Sequence, residues 1–182
     1  MSCTPYKILW DLIMRYVCAF VSIFFVGITS AVALPEKSLS FKEIQNLFKA
    51  GEYEQVIPLA EEFVAADVKP SQKVLGLFLL GDSLYKQGQY HEAIQYFYQL
   101  VRLNPKSKLR AKCYYLMAVC YYKLKFPINA LAHFGVLLKD YPKNVLTVKE
   151  APFWIAQCFF ESLDYPQAIV FFHKSLKNNP DP

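Results

Sequence analysis

The chain repeats itself, and no other feature restricts its fold as tightly. Gly81, Ala93, Phe97 and Pro105 correspond to Ala118, Ala130, Phe134 and Pro142, and again to Ala156, Ala168, Phe172 and Pro180. In each set a second small residue follows the first after 12 positions, an aromatic comes 4 later and a proline 8 beyond that. The sets recur at intervals of 37 and then 38 residues. A fixed period of this length marks supersecondary units that stack, because one unit cannot bury its apolar face alone.

The residue types explain the unit. Gly81 and Ala93 fall inside helical stretches, where glycine costs about 1 kcal/mol of helix propensity. Small side chains are kept there only where two helices approach closely. Gly88 falls at the end of a first helix, where a left-handed residue commonly closes the last turn. Pro105 follows a second helix that it cannot continue. Pro127 and Pro166 sit where second helices open, a position that needs no N–H partner. A weaker fourth unit lies upstream, where Gly51 and Tyr53 match Gly88 and Tyr90, while Val56 and Ala60 replace the small and aromatic pair. The pattern predicts helices over 41–50, 54–66, 71–87, 90–103, 107–125, 127–140, 150–163 and 165–178, with only weak strand signals.

The fullest copy, VLGLFLLGDSLYKQGQYHEAIQYFYQLVRLNP, carries Leu80, Gly81, Gly88, Tyr90, Ala93, Phe97 and Pro105 at the spacing of the tetratricopeptide repeat (TPR), and the chain resembles that family. The resemblance implies an all-α fold, a solenoid of about four helical hairpins over 34–182. Its repeats would span about 37–70 (degenerate), 74–107, 111–144 and 149–182. It also implies that the first helices line a concave groove. Two positions seven apart on each first helix, hence on one stripe, hold Phe41 and Phe48, Phe78 and Tyr85, Tyr115 and Tyr122, then Phe153 and Phe160. All eight are Phe or Tyr. In the family these positions face the groove, which makes Phe78, Tyr85, Tyr115, Tyr122, Phe153 and Phe160 the candidate partner-binding residues. An aromatic ladder suits an extended apolar or proline-containing peptide. The alternative is that some of these rings pack between neighbouring first helices. The lysine–asparagine clamp of chaperone-tail-binding members is not reproduced, since Asp82, Val119 and Gln157 stand between the ring pairs.

The first 33 residues are of a different composition. After Arg15, twenty residues pass without a charge before Glu36, and Ala31-Val32-Ala33 forms a small-x-small cleavage pattern. Two readings stand: a cleaved signal peptide over 1–33, or an uncleaved anchor, for which about 20 apolar residues suffice. Either places the repeats across the membrane, with Lys7 and Arg15 favouring a cytosolic N-terminus. Cys18 lies inside the apolar run and does not form a lipobox. The intervals of 37 and 38, longer than the family's usual 34, together with the leader, resemble exported TPR proteins of bacterial envelopes. These are of the Tol–Pal-associated cell-division coordinator type and the outer-membrane assembly lipoprotein type.

Charge is unevenly placed around a net +5. Between Ala93 and Lys139 there is no acid and there are eight cations, whereas 36–67 holds seven acids and three lysines. Lys106, Lys108, Arg110 and Lys112 are candidate contacts for an anionic partner, a membrane surface or an acidic polymer, or else they form a solvated face. Export argues against nucleic acid. The apolar residues Ile169, Val170, Phe171, Phe172 and Leu176 exceed what one buried helix face needs, so the last helix is expected to meet a second copy or another protein.

Chemistry is sparse. Cys113, Cys120 and Cys158 read as small buried hydrophobes rather than a disulfide framework. His91, His133 and His173 fall on three helices without a second ligand at metal spacing, and no phosphate loop or nucleophile motif is present. The chain is read as a non-enzymatic adaptor or scaffold without cofactor or metal, located in the periplasm. A holdase-type chaperone and a membrane-anchored assembly factor are the alternatives.

Overall fold

The computed structural model describes residues 40–178. The apolar leader with its cleavage pattern and the final Pro180 lie outside the described residues.

Among the described residues there are eight α-helices and no strand: α1 Phe41–Ala50, α2 Tyr53–Ala65, α3 Pro70–Lys86, α4 Tyr90–Leu103, α5 Arg110–Lys123, α6 Pro127–Asp140, α7 Ala151–Glu161 and α8 Tyr165–Asn178. They pair as four antiparallel hairpins, so the fold is the expected all-α solenoid. The four tight turns are closed alike. Gly51, Gly88, Lys125 and Leu163 all adopt positive φ, between 62° and 83°. Each donates its N–H to the carbonyl three residues back, and the next N–H bonds the carbonyl five back, as in Gln89 to Leu84 at 2.9 Å and Asp164 to Phe159 at 2.9 Å. This double closure satisfies carbonyls that the helix end would leave unpaired. Glycine supplies the left-handed residue in two turns. Lysine and leucine adopt it under strain in the others.

Helix boundaries agree with the sequence reading to within three residues, and two of the differences have a visible cause. Helix α5 begins at Arg110 rather than at 107, because Ser107 forms a turn: its Oγ accepts the Leu109 N–H at 3.2 Å and its carbonyl accepts the Arg110 N–H at 3.2 Å. Before α7 the chain takes a π-helical turn, Leu146–Glu150. The extra residue of the 38-residue interval falls between Pro142 and Ala156, the span that holds this turn. A π turn is how a helix absorbs one inserted residue.

Packing follows the repeat. Gly81 lies under Phe97, and a Cβ there would stand 2.7 Å from its ring. Phe97 and Phe134 are fully buried, as the repeat pattern requires. Helix α5 is the shared wall of the core: Cys113, Leu116, Met117 and Cys120 face one cluster, Ala111, Ala118 and Val119 the next. Adjacent first helices (α1, α3, α5, α7) come into backbone contact, while adjacent second helices do not. Second helices meet only through long side chains, as where the Tyr98 hydroxyl and His133 Nε2 lie 2.8 Å apart. The first-helix side is therefore the inner, concave one. No described helix is long and apolar enough to cross a membrane.

Candidate partner-binding groove

The aromatic stripes occupy the row of first helices, but their rings do not share one environment. At the later stripe position, Phe48, Tyr85 and Phe160 each pack on the ring five residues on, across the hairpin turn. The pairs are Phe48–Tyr53 at 5.6 Å, Tyr85–Tyr90 at 6.0 Å and Phe160–Tyr165 at 5.6 Å between centroids. In the third hairpin Pro127 takes the place of that second ring. Tyr122 accordingly turns toward α7, where it stands edge-on to Trp154 at 5.4 Å and donates to Gln157 and Glu161, each at 3.4 Å.

Tyr115 is tied to the same helix. Its hydroxyl accepts the Trp154 indole N–H at 2.9 Å, and its ring meets Phe134 edge-on at 6.3 Å. Burial pushes its phenol up to about 12. Phe78 is buried at 8% exposure, with the Lys112 ammonium 4.7 Å above its ring. Phe41 is half-buried and stacked on Phe63 at 5.2 Å. Phe153 and Phe160 stay open, at 42% and 53% exposure. The structure thus divides the six candidates: Phe78, Tyr115 and Tyr122 join helices, Tyr85 is half-buried between its own hairpin turn and the next core cluster, and Phe153 and Phe160 present free ring surface on α7.

The four candidate cations are divided as well. Lys112 pairs with Asp82 at 3.6 Å. Asp82 is a groove carboxylate only 5% exposed, its pKa raised by burial against the opposing pull of Lys112. Arg110 is held locally, donating to the Pro105 carbonyl at 2.6 Å and to the Tyr114 hydroxyl at 3.3 Å. Lys106 and Lys108 are exposed in the connection before α5. Farther along, Lys125 bonds Glu161 at 3.0 Å, a second ion pair bridging neighbouring hairpins.

Sequence reasoning missed Trp154, which organises the α5–α7 contact. Its position is held by Leu79 and Leu116 in the two preceding copies and by Lys42 in the degenerate one, so the periodic pattern concealed it. A tryptophan among leucines at one repeat position was the available signal.

The comparisons agree with the repeat fold. A family model described as anaphase-promoting complex, cyclosome, subunit 3 matches residues 49–137, and a tetratricopeptide-repeat model matches 150–182. Among solved structures, MamA (residues 41 to end) from Desulfovibrio magneticus RS-1 superposes with a TM-score of 0.65 at 17% identity, covering 81% of this chain and 78% of that one.

This is a tetratricopeptide-repeat fold.

The apo form of RapI is similar at TM-score 0.65 and 16% identity, over 95% of this chain and 52% of that one. BtubC from P. vanneervenii gives 0.58 at 13% identity, over 74% and 59%. No curated protein matches in sequence. The family matches support the tetratricopeptide-repeat family, whose hairpins serve as scaffolds for protein interaction rather than as catalysts. Among the described residues no cluster of His, Cys, Asp or Glu is placed to hold a metal. The three cysteines among the described residues, Cys113, Cys120 and Cys158, are buried, each thiol pushed up to about 12 by desolvation.

Proposed function

We propose that this chain is an exported adaptor of the cell envelope that holds a peptide or protein segment in its concave groove, centred on α7. The observation that carries the reading is the open surface of Phe153 and Phe160, at 42% and 53% exposure. At the matching positions, Phe78 and Tyr115 are buried and half-buried, and Tyr85 and Tyr122 are half-buried. Exposed rings on a rigid helix offer large contact area at little entropy cost. Export is supported by the uncharged run after Arg15 and by Ala31-Val32-Ala33. A mature N-terminus at Leu34 is the outcome expected from N-terminal sequencing, whereas an intact leader would identify the membrane-anchored assembly factor.

Of the four candidate cations, Lys106 and Lys108 are the two without a side-chain partner and so available to an anionic surface or polymer. Their replacement by Gln should weaken liposome association in a salt-dependent way. A photo-crosslinking residue at Phe160 tests the groove directly. One dominant adduct in intact envelopes supports the adaptor, many adducts favour the holdase, and none refutes the site. A second contact is favoured by α8, where Ile169, Val170 and Leu176 are 55%, 58% and 66% exposed. Self-association through this face predicts a concentration-dependent mass in sedimentation that Leu176→Lys abolishes.

A further inference from the structure

A cavity of about 370 Å³ lies between the first turns of α3 and the last turns of α4, lined by Lys73, Leu77, Gln99, Arg102 and Leu103. Leu77 is 2% exposed and Leu103 is 46% exposed, so the lining combines apolar surface with two cations and a side-chain amide. Neither Lys73 nor Arg102 enters an ion pair among the described residues.

The repeat explains why this space is empty. One period on, at 37 residues, the five positions become Arg110, Tyr114, Val136, Lys139 and Asp140. There the Tyr114 ring stands 6.1 Å from that of His133, its hydroxyl accepts from Arg110 at 3.3 Å, and the Arg110 guanidinium lies 5.7 Å over the ring. Asp140 acts electrostatically on the same guanidinium. At the α3–α4 site Leu77 replaces the phenol ring and Leu103 replaces the carboxylate. Lys73, the counterpart of Arg110, remains without the ring and the acid that accompany Arg110 in the next hairpin, and Arg102 stands beside it where Lys139 stands there.

We propose that the α3–α4 cavity is a binding site for an amphipathic carboxylate, whose apolar body takes the place of the Tyr114 ring and whose anionic head takes that of Asp140. Arg102 offers a planar pair of N–H donors that matches a carboxylate. Lys73 adds a second positive charge, and the exposed Leu103 receives the apolar body over the buried Leu77. The site is separate from the groove and its occupancy does not depend on α7.

The test uses the full chain and 3-phenylpropionate, with propionate as the head alone and 3-phenylpropan-1-ol as the body alone, followed by calorimetry. 3-Phenylpropionate should bind saturably at one site, and each half-molecule at least tenfold more weakly. Leu77→Tyr should abolish binding with the melting temperature retained, since tyrosine fills the matching position in the next hairpin. Arg102→Gln, on an exposed residue, should weaken binding at least tenfold and keeps the test valid if Leu77→Tyr disturbs folding. Phe160→Ala should leave binding unchanged. The proposal is overturned by absence of saturable binding, by equal binding of either half-molecule, or by full affinity in a folded Leu77→Tyr or Arg102→Gln protein.

Discussion

The division of the aromatic ladder makes a quantitative prediction about Tyr115 and Phe160, two rings that the repeat pattern treats as equivalent. Truncating a fully buried aromatic to alanine costs about 3–5 kcal/mol. Tyr115 is half-buried, which scales this to about 2 kcal/mol. Removing its hydroxyl also strands the Trp154 indole N–H, bonded at 2.9 Å in the native protein. Leaving a partly buried donor unpaired adds about 1 kcal/mol. Tyr115→Ala should therefore cost about 3 kcal/mol, a large part of the about 5–15 kcal/mol that holds a typical domain together. For a domain of this size the melting temperature should fall by about 12 °C. Phe160 is 53% exposed and its hydroxyl-free ring makes one edge contact, with Tyr165. Its truncation should cost at most about 1 kcal/mol and should abolish partner capture. Tyr115→Phe keeps the ring and should cost only the hydrogen-bond share, about 1 kcal/mol. Far-UV circular dichroism melts of the three variants decide the matter. A Tyr115→Ala protein melting within about 4 °C of the native one would refute the cross-link reasoning. A collapse of Phe160→Ala would remove the basis for the groove.

Other consequences follow from single positions. Gly81→Ala places a Cβ 2.7 Å from the fully buried Phe97 ring, so overpacking of about 1–3 kcal/mol should exceed the helix-propensity gain of about 1 kcal/mol. Denaturant unfolding should show a net loss near 1 kcal/mol, which disappears when the alanine is introduced beside Phe97→Leu. Leu163→Gly removes left-handed strain at φ 62° from a side chain that is 70% exposed. Relief of about 1–2 kcal/mol, less the glycine entropy term of about 0.5–1 kcal/mol, should raise stability by about 0.5–1 kcal/mol in the same assay. Alkaline pH should unfold the domain. The Cys113, Cys120 and Cys158 thiols rise from 9.0 to about 12 on folding, so their contribution is complete below pH 9.0 and is lost as pH climbs toward about 12. A thiol reagent should accordingly modify Cys113, Cys120 and Cys158 only at the rate at which the domain opens. Rapid labelling of any of these three near neutral pH, located by peptide mapping, would contradict the burial.

The solenoid was legible in the sequence because its determinants are local and periodic. Small residues such as Gly81 and Ala130, the buried Phe97 and Phe134, and the Gly88 turn each solve a problem of one hairpin, and repetition multiplies the signal. The same periodicity misled where copies differ by one residue. It treated the paired rings as equivalent, although Pro127 removes the ring on which Tyr122 would otherwise rest and sends it to Trp154. It grouped Lys106, Lys108, Arg110 and Lys112 as one basic zone because they are adjacent in the chain. Helix phase and neighbouring partners instead send Lys112 to Asp82 and Arg110 to Tyr114. The cavity beside Leu77 escaped notice for a related reason: a leucine in place of a tyrosine is unremarkable until the unfilled volume around it is seen. Sequence by itself determined the repeating unit, because backbone closure and hairpin contact depend on residues close along the chain. Tertiary structure alone decided which side chains remain available to a partner. Exposure depends on what the next hairpin places against each ring or cation, and that neighbour lies about 35 residues away in the chain.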